Sequence, residues 1–278
     1  MLLKIDRLED YEQMARKSLK NVMRLINSAK ETAPVEQSFL ADLKRTIETV
    51  EKPNNNRLPS KTYKPSGMNC MRQSYFQLTG ATPDDAETNY SLVGICNSGT
   101  DIHVRIQTYV SKMRDCGIDC EYIDVAQFVI DRGLSDIEVV SKSGMETKLY
   151  HKKFNMSFLC DGIVRYQNHY YILELKTESI YKWQNRAGVD ESHYNQATAY
   201  SVALGLDEIL FVYINRDVLD MKAFLFVPTS EMKQNLIGYI DTCDAYVAKN
   251  SVPPKPENVT KKTCTYCLYS ELCRKAGG

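Results

Sequence analysis

Between Phe158 and Thr177 the chain reads F-L-C-D-G-I-V-R-Y-Q-N-H-Y-Y-I-L-E-L-K-T, a largely apolar, β-prone stretch. Two β-rich runs flank Gln167-Asn168, a pair polar enough for a tight hairpin turn. With those two residues as the turn, Tyr166 pairs with His169, and counting outward sets Asp161 opposite Glu174. Cross-strand partners hold their Cβ atoms about 5 Å apart, and the two-residue period of a strand puts Lys176 on the face of Glu174. Residues 121–177 as a whole read as successive strands. Ahead of them, residues 98–115 form an amphipathic helix with a capping box from Ser98 to Asp101. Ile102, Ile106, Tyr109, Val110 and Met113 make its apolar stripe. Residues 8–50 show helical periodicity broken near Thr32–Pro34, and residues 52–64 read as a linker. Beyond the strands come a helix over 192–204 that carries Gln196 and Tyr200 on one face, strands over 209–214 and 222–227, and a helix over 230–248. The order defines an α/β chain, with residues 1–56 as an N-terminal helical appendage and residues 57–278 as the main domain.

Asp161, Glu174 and Lys176 are three charges in an otherwise apolar stretch, costly to bury unless something neutralises them. A buried ion pair is the plain structural solution. A divalent metal is the other, and it makes the group a hydrolytic site. His103 lies beside the apolar stripe of its helix, where it is either a satisfied core histidine or a ligand.

Lys and Arg number 35, as do Asp and Glu, so affinity for a polyanion would rest on local patches. Residues 57–83 carry Arg57, Lys61, Lys64 and Arg72 and no acid. Residues 253–278 carry Lys255, Lys261, Lys262, Arg274 and Lys275 against Glu257 and Glu271. The N-terminus carries charges too early for a signal peptide, and no apolar run approaches the roughly 20 residues of a membrane span. These features predict a soluble protein of a reducing, cytoplasmic compartment, with no membrane partner.

Nine cysteines are many for such a chain. Cys264, Cys267 and Cys273 form C-x2-C-x5-C, a spacing that suggests metal rather than disulfides. Cys70 is the best fourth ligand, whether for zinc or for an iron–sulfur cluster. Cys96, Cys116, Cys120, Cys160 and Cys243 sit in apolar or helical contexts and read as small buried hydrophobes. No Gly-rich phosphate loop and no G-x-S-x-G element occurs, which leaves nucleotide-driven and Ser-hydrolase chemistry without support.

In order along the chain, G-T-D-I-H (Gly99–His103), C-D-G (Cys160–Gly162), E-L-K (Glu174–Lys176) and Q-A-T-A-Y (Gln196–Tyr200) resemble the four motifs of RecB-like nucleases of the PD-(D/E)xK superfamily. One cysteine ahead of that core and C-x2-C-x5-C behind it resemble the subgroup containing the CRISPR-associated exonucleases and the AddB nuclease domain. The C-M-R-Q-S-Y-F context of Cys70 is similar to that subgroup's first-cysteine segment. The resemblance covers roughly residues 62–276 and leaves 1–56 outside.

It implies a restriction-endonuclease-like core, a central mixed β-sheet flanked by helices, onto which the cysteine-rich C-terminal segment closes. It implies that His103, Asp161, Glu174 and the carbonyl of Leu175 hold Mg²⁺ or Mn²⁺. Lys176 would orient the attacking water or stabilise charge at the phosphorus, with Gln196 and Tyr200 holding the substrate strand or the lysine. Cys70, Cys264, Cys267 and Cys273 would hold a structural [4Fe–4S] cluster. The implied activity is a DNA exonuclease acting on single strands from an end, 5′ to 3′, in recombination, repair or end processing. A structure-specific endonuclease within a larger complex and a non-catalytic iron–sulfur DNA-binding subunit are the alternatives. Tyr75, Phe76, Tyr181, Trp183 and Tyr194 are candidates to stack on unpaired bases, and residues 1–56 are a candidate docking piece for a protein partner. The stand-alone length and the even spread of basic residues look most like a virus- or mobile-element-encoded member.

Overall fold

Gln167 and Asn168 both adopt left-handed backbone conformations, with φ of 50° and 65°. Such a turn matches the right-handed twist of the strands it joins. The ladder runs from Tyr166↔His169 to Gly162↔Leu173, the register counted from the sequence. This hairpin, β5 (Gly162–Tyr166) and β6 (His169–Glu178), is the centre of the molecule.

The computed structural model describes residues 34–51, 60–84, 89–256, 264–265 and 267–277. The helix expected ahead of Thr32 lies outside these, as does the linker up to residue 59. Two units are distinguishable, Met1–Pro53 with Thr88–Val93 and Asn54–Glu87 with Gly94–Gly278. In the first, α1 (Pro34–Val50) is the helix expected after the break. There the Tyr90 backbone N–H donates to Glu48 Oε1 at 3.2 Å, and Lys44 Nζ lies 4.8 Å from the Tyr90 ring centre.

The second unit holds the rest: α2 (Met71–Leu78), most of α3 (Tyr90–Lys112), β1 (Cys120–Ile123), α4 (Val125–Asp131), β2 (Ile137–Ser143), β3 (Glu146–His151), β4 (Met156–Cys160), the hairpin, α5 (Ile180–Gln184), α6 (Tyr194–Leu204), β7 (Ile209–Asn215), β8 (Met221–Phe226), α7 (Ser230–Ala248) and α8 (Ser270–Lys275). Five strands form a mixed sheet in the order β1-β5-β6-β7-β8, and β2, β3 and β4 form a second, antiparallel sheet. Only the β6–β7 pair of the larger sheet is parallel, which requires a crossover, and α5 and α6 supply it. One face of the sheet buries Ile163, Ile172, Ile209, Phe211 and Tyr213 in a core shared with α6 and α7. The other buries Val164, Leu173, Leu175 and Ile214 against Ile102 and Ile106 of α3. The central mixed sheet flanked by helices is the class expected from the sequence. No helix among the described residues is long and apolar enough to cross a membrane.

Four local expectations need correction. Helix α3 starts at Tyr90 rather than Ser98, because Asn89 Oδ1 accepts from the backbone N–H groups of Ser91 and Leu92 and caps it. Tyr109 of its stripe is 61% exposed. Residues 125–131, expected as strand, are helical, because Asp124 Oδ1 accepts from Gln127 N while Val125, Phe128 and Val129 turn into the core. Cys120, Cys160 and Cys243 are buried as expected, but Cys96 and Cys116 are exposed.

At Gly162 the backbone passes so close to β1 that a Cβ would sit 2.6 Å from the Tyr122 ring. That ring is anchored, since its hydroxyl donates to the Asp161 carbonyl at 2.7 Å with the Met145 carbonyl at 3.0 Å. Gly162→Ala should therefore lower stability by about 1–3 kcal/mol, read as a fall in the urea midpoint at unchanged m-value. A midpoint equal to wild type would show that Tyr122 moves freely.

Candidate metal centre and cysteine cavity

Asp161 occupies the single residue between β4 and β5, just past the end of the hairpin ladder. Three groups fix it. Its Oδ2 accepts from the Leu175 N–H at 2.7 Å, and its carbonyl accepts from Gln107 Nε2 and the Tyr122 hydroxyl, each at 2.7 Å. Its Oδ1 lies 3.5 Å from His103 Nδ1. His103 and Gln107 are four apart on α3, so one helix face delivers both to Asp161. Gln107, fully buried, and Tyr122 were not singled out in the sequence. The i, i+4 spacing from His103 could have found the first.

Glu174 is 3% exposed. Its Oε1 accepts from Lys176 Nζ at 2.7 Å and from Gln196 Nε2 at 2.8 Å. Lys176 Nζ also donates to Gln196 Oε1 at 3.0 Å, so one amide links both charges. Gln196 Nε2 reaches the Tyr200 oxygen at 2.8 Å, and the Tyr200 hydroxyl donates to the Leu159 carbonyl at 2.9 Å. Tyr200 is 4% exposed and therefore braces Gln196 from inside. Small residues make that approach close: Ala197, Thr198, Ala199, Ser201 and Ala203 of α6 are all buried. The other oxygen of Glu174, Oε2, is buried with no partner.

The electrostatics follow from this enclosure. Burial pushes the Glu174 carboxyl up to about 7, with Lys176 pulling it down and Asp161 pushing it further up. Burial alone would lower His103, but its hydrogen bond to Asp161 and the charges of Asp161 and Glu174 outweigh that and raise it. Glu146, at the start of β3, is raised by burial and by the charge of Asp161. Ligand atoms of His103, Glu146 and Asp161 lie within 4.8 Å of one another. Carboxylate oxygens with one imidazole suit Mg²⁺, and still better Mn²⁺, so the donor set fits such an ion. Glu146 carried no signal in the sequence, because it arrives through strand pairing in the smaller sheet.

The structure thus brings His103, Asp161, Glu174, Lys176, Gln196 and Tyr200 into one connected group, with Leu175 joined by its backbone. The aromatic candidates separate. Tyr75 and Phe76 are core residues, and Tyr194 stacks on Phe226 at 4.8 Å. Trp183 donates to the Tyr213 carbonyl at 3.1 Å, while Tyr181 is 78% exposed. Lys182 and Arg186 are engaged with Glu178 and Asp190, which leaves less free positive charge there than the sequence suggested.

Cys70, Cys264, Cys267 and Cys273 line one cavity of about 360 Å³. Burial pushes the Cys267 thiol up, and the neighbouring Cys70, Cys273 and Cys264 add to the shift. Arg72, read as part of a basic surface, is 6% exposed and ties the walls together. Its guanidinium donates to the carbonyls of Pro253 (2.7 Å), Cys273 (3.3 Å) and Ala276 (3.3 Å). On the far side, Asp84 Oδ2 accepts from Glu271 N at 2.7 Å. The C-terminal segment is closed onto the core around the four thiols.

No family model matches the chain, and no curated protein matches it. Among solved structures it is similar to SSO0001, with 14% identity over 85% of this chain and 95% of that one, at a TM-score of 0.41. It is also similar to an alkaline exonuclease, LHK-Exo from Laribacter hongkongensis, with 11% identity over 69% and 90% of the two chains and a TM-score of 0.39. The same enzyme in complex with dAMP gives 11% identity and 0.40 over the same shares.

The raised Glu174 carboxyl has a measurable consequence. Its ordinary value is 4.5 and its folded value about 7, so between these the folded state binds more protons than the unfolded one. Stability then falls as pH rises through that window. In EDTA, Glu174→Gln should flatten this fall between pH 4.5 and pH 7, measured by urea unfolding. An equal slope in wild type and variant would refute the shift.

Proposed function

We propose that this chain is a metal-dependent deoxyribonuclease, an exonuclease that hydrolyses phosphodiester bonds of single-stranded DNA from an end, 5′ to 3′, in recombination, repair or end processing. The observation that carries the reading is the group at the end of the central sheet. Asp161 and Glu174 converge with His103 and Lys176, and Glu174 keeps one buried oxygen without a partner. A structural ion pair needs no orphaned carboxylate oxygen, since leaving it bare costs about 1–3 kcal/mol or more.

His103, Asp161, Glu174 and the carbonyl of Leu175 would hold Mg²⁺ or Mn²⁺, and the ion would supply charge neutralisation and activation of water. Lys176 acts at the edge of the group. Its ammonium, fixed by Glu174 and Gln196, presents its remaining proton to the attacking water or to charge building on the phosphate. Gln196 holds that lysine in register, and Tyr200 braces Gln196. The exposed Tyr181 ring is the remaining candidate for stacking on a base.

The four thiols are proposed to hold a [4Fe–4S] cluster with a structural role. They share one cavity, yet among the described residues no three of them lie mutually within 4.8 Å. The resemblance of the Cys70 segment and of C-x2-C-x5-C to the iron–sulfur subgroup favours the cluster over a single zinc ion. Residues 1–56 remain the proposed docking piece for a protein partner.

End-labelled linear and circular DNA, single- and double-stranded, incubated with Mg²⁺, Mn²⁺ or EDTA, tests the activity. Loss of linear single strands is expected, abolished by EDTA and reduced about 100- to 1,000-fold by Lys176→Ala. Cutting of circles would make the protein an endonuclease, and cleavage indifferent to EDTA and to Lys176→Ala would overturn the assignment. For the cluster, anaerobically purified Cys267→Ser should lose its iron and brown colour and become poorly soluble. Zinc in the wild-type protein, or a colourless variant that folds like wild type, would sink it.

A further inference from the structure

Arg72 is a buried cation without an acid beside it. Its side chain belongs to a residue 6% exposed, and a guanidinium is always charged. Nε donates to the Pro253 carbonyl at 2.7 Å, Nη2 to the Ala276 carbonyl at 3.3 Å and Nη1 to the Cys273 carbonyl at 3.3 Å. Nη1 also reaches the Cys273 sulfur, at 3.3 Å. Among the described residues, then, its partners are neutral carbonyls and one sulfur, and no carboxylate. Carbonyl dipoles satisfy the protons but leave the charge, and an uncompensated charge at such depth is costly. The cavity beside it has the same sign. Lys255 and Arg274 line it together with Arg72, and among the described residues no Asp or Glu does. A bare divalent cation would meet repulsion there, whereas an anionic group would be attracted. The sulfurs can supply that anion. Coordinated thiols are deprotonated, and four thiolates outweigh the charge of a zinc ion or of a [4Fe–4S] unit.

We propose that Arg72 is the internal counter-charge of a metal–thiolate group held by Cys70, Cys264, Cys267 and Cys273, acting through its N–H bond to the Cys273 sulfur. This rests on the reading that the four cysteines hold a metal group, and is independent of the nuclease reading. Arg72 is a positioning residue with an electrostatic task beside its mechanical one. The planar fork suits both, because it reaches three carbonyls and a sulfur in different directions while keeping its charge. A cation bonded to a ligating sulfur favours the more negative state of the group. It therefore raises the reduction potential of a cluster and slows the loss of metal. Arg72 follows Cys70 by two residues, so one short segment brings both a ligand and its counter-ion to the C-terminal cysteines.

The test uses the full chain, purified without oxygen, as wild type, Arg72→Lys and Arg72→Gln. Lysine keeps the charge and loses the fork, whereas glutamine keeps a donor and loses the charge. A redox titration followed by electron paramagnetic resonance should give Arg72→Gln a lower midpoint potential than wild type, with Arg72→Lys close to wild type. A chelator should strip metal from Arg72→Gln roughly tenfold faster or more, and from Arg72→Lys at nearly the wild-type rate. Equal potentials and release rates in wild type and Arg72→Gln, or a lysine variant as impaired as the glutamine one, reduce Arg72 to a tie between the walls and overturn the proposal. Should neither variant fold, wild type labelled with heavy-nitrogen arginine gives the answer. Pulsed resonance of its reduced cluster should show one coupled arginine nitrogen, and the absence of that coupling overturns the proposal. Zinc in wild type defeats the cluster reading alone, and the counter-charge is then read from the chelator rates. Wild type with no metal at the four thiols overturns both.

Discussion

A carboxylate almost wholly removed from water, Glu174, is the constraint around which the unit is arranged. An uncompensated charge at that depth costs several kcal/mol. Lys176 compensates it from two residues away, because strand geometry returns every second side chain to one face. Among the described residues, Gln196 alone both donates to the acid and accepts from the base. An amide does this and neither a carboxylate nor an ammonium can. Position 196 is in turn set by α6, whose small side chains let the helix lie close on the sheet. Compensation is incomplete, since one oxygen stays bare, and that incompleteness separates a poised site from a finished ion pair.

Asp161 is held in a different way. Strand, helix and tyrosine each fix one of its atoms, so its carboxylate keeps its direction without a counter-charge in full contact. Preorganised acceptors of this kind need little rearrangement when a cation arrives. The close passage of Gly162 beneath Tyr122 belongs to the same arrangement, because a side chain there would push the phenol off the Asp161 carbonyl.

Local chemistry explains what could be read from the chain in advance. A polar two-residue turn between β-rich runs dictates a register, and the register places Glu174 and Lys176 together, with Asp161 at the strand end. The helix Ser230–Ala248 matched residue for residue, its start marked by Thr229, whose side chain accepts from Met232 N. Elements without a strong period were misread. The first two turns of α3 have few buried side chains and are held by Asn89, and α4 is too short for a 3.6-residue pattern to outweigh its β-branched residues. Glu146 and Tyr122 stayed invisible for another reason. Tyr122 reaches Asp161 through the pairing of β1 with the distant β5, and Glu146 through the β3–β4 hairpin, whose connection over residues 152–155 offers no two-residue turn from which to count a register.

The cysteine cavity has walls from two stretches separated by both sheets and most of the helices. Cys70 and Arg72 come from one side of the chain, and Cys264 to Ala276 from the other. During synthesis at about 5–20 residues per second, the first wall waits on the order of ten seconds or more for the second. For that interval the nascent protein carries a free thiol at Cys70 and a guanidinium at Arg72 without its carbonyl partners. The cavity itself is complete only after the residues of both sheets have been made. Until then the Cys70 thiol and the Arg72 guanidinium are open to solvent, and the arrival of the last residues closes both at once.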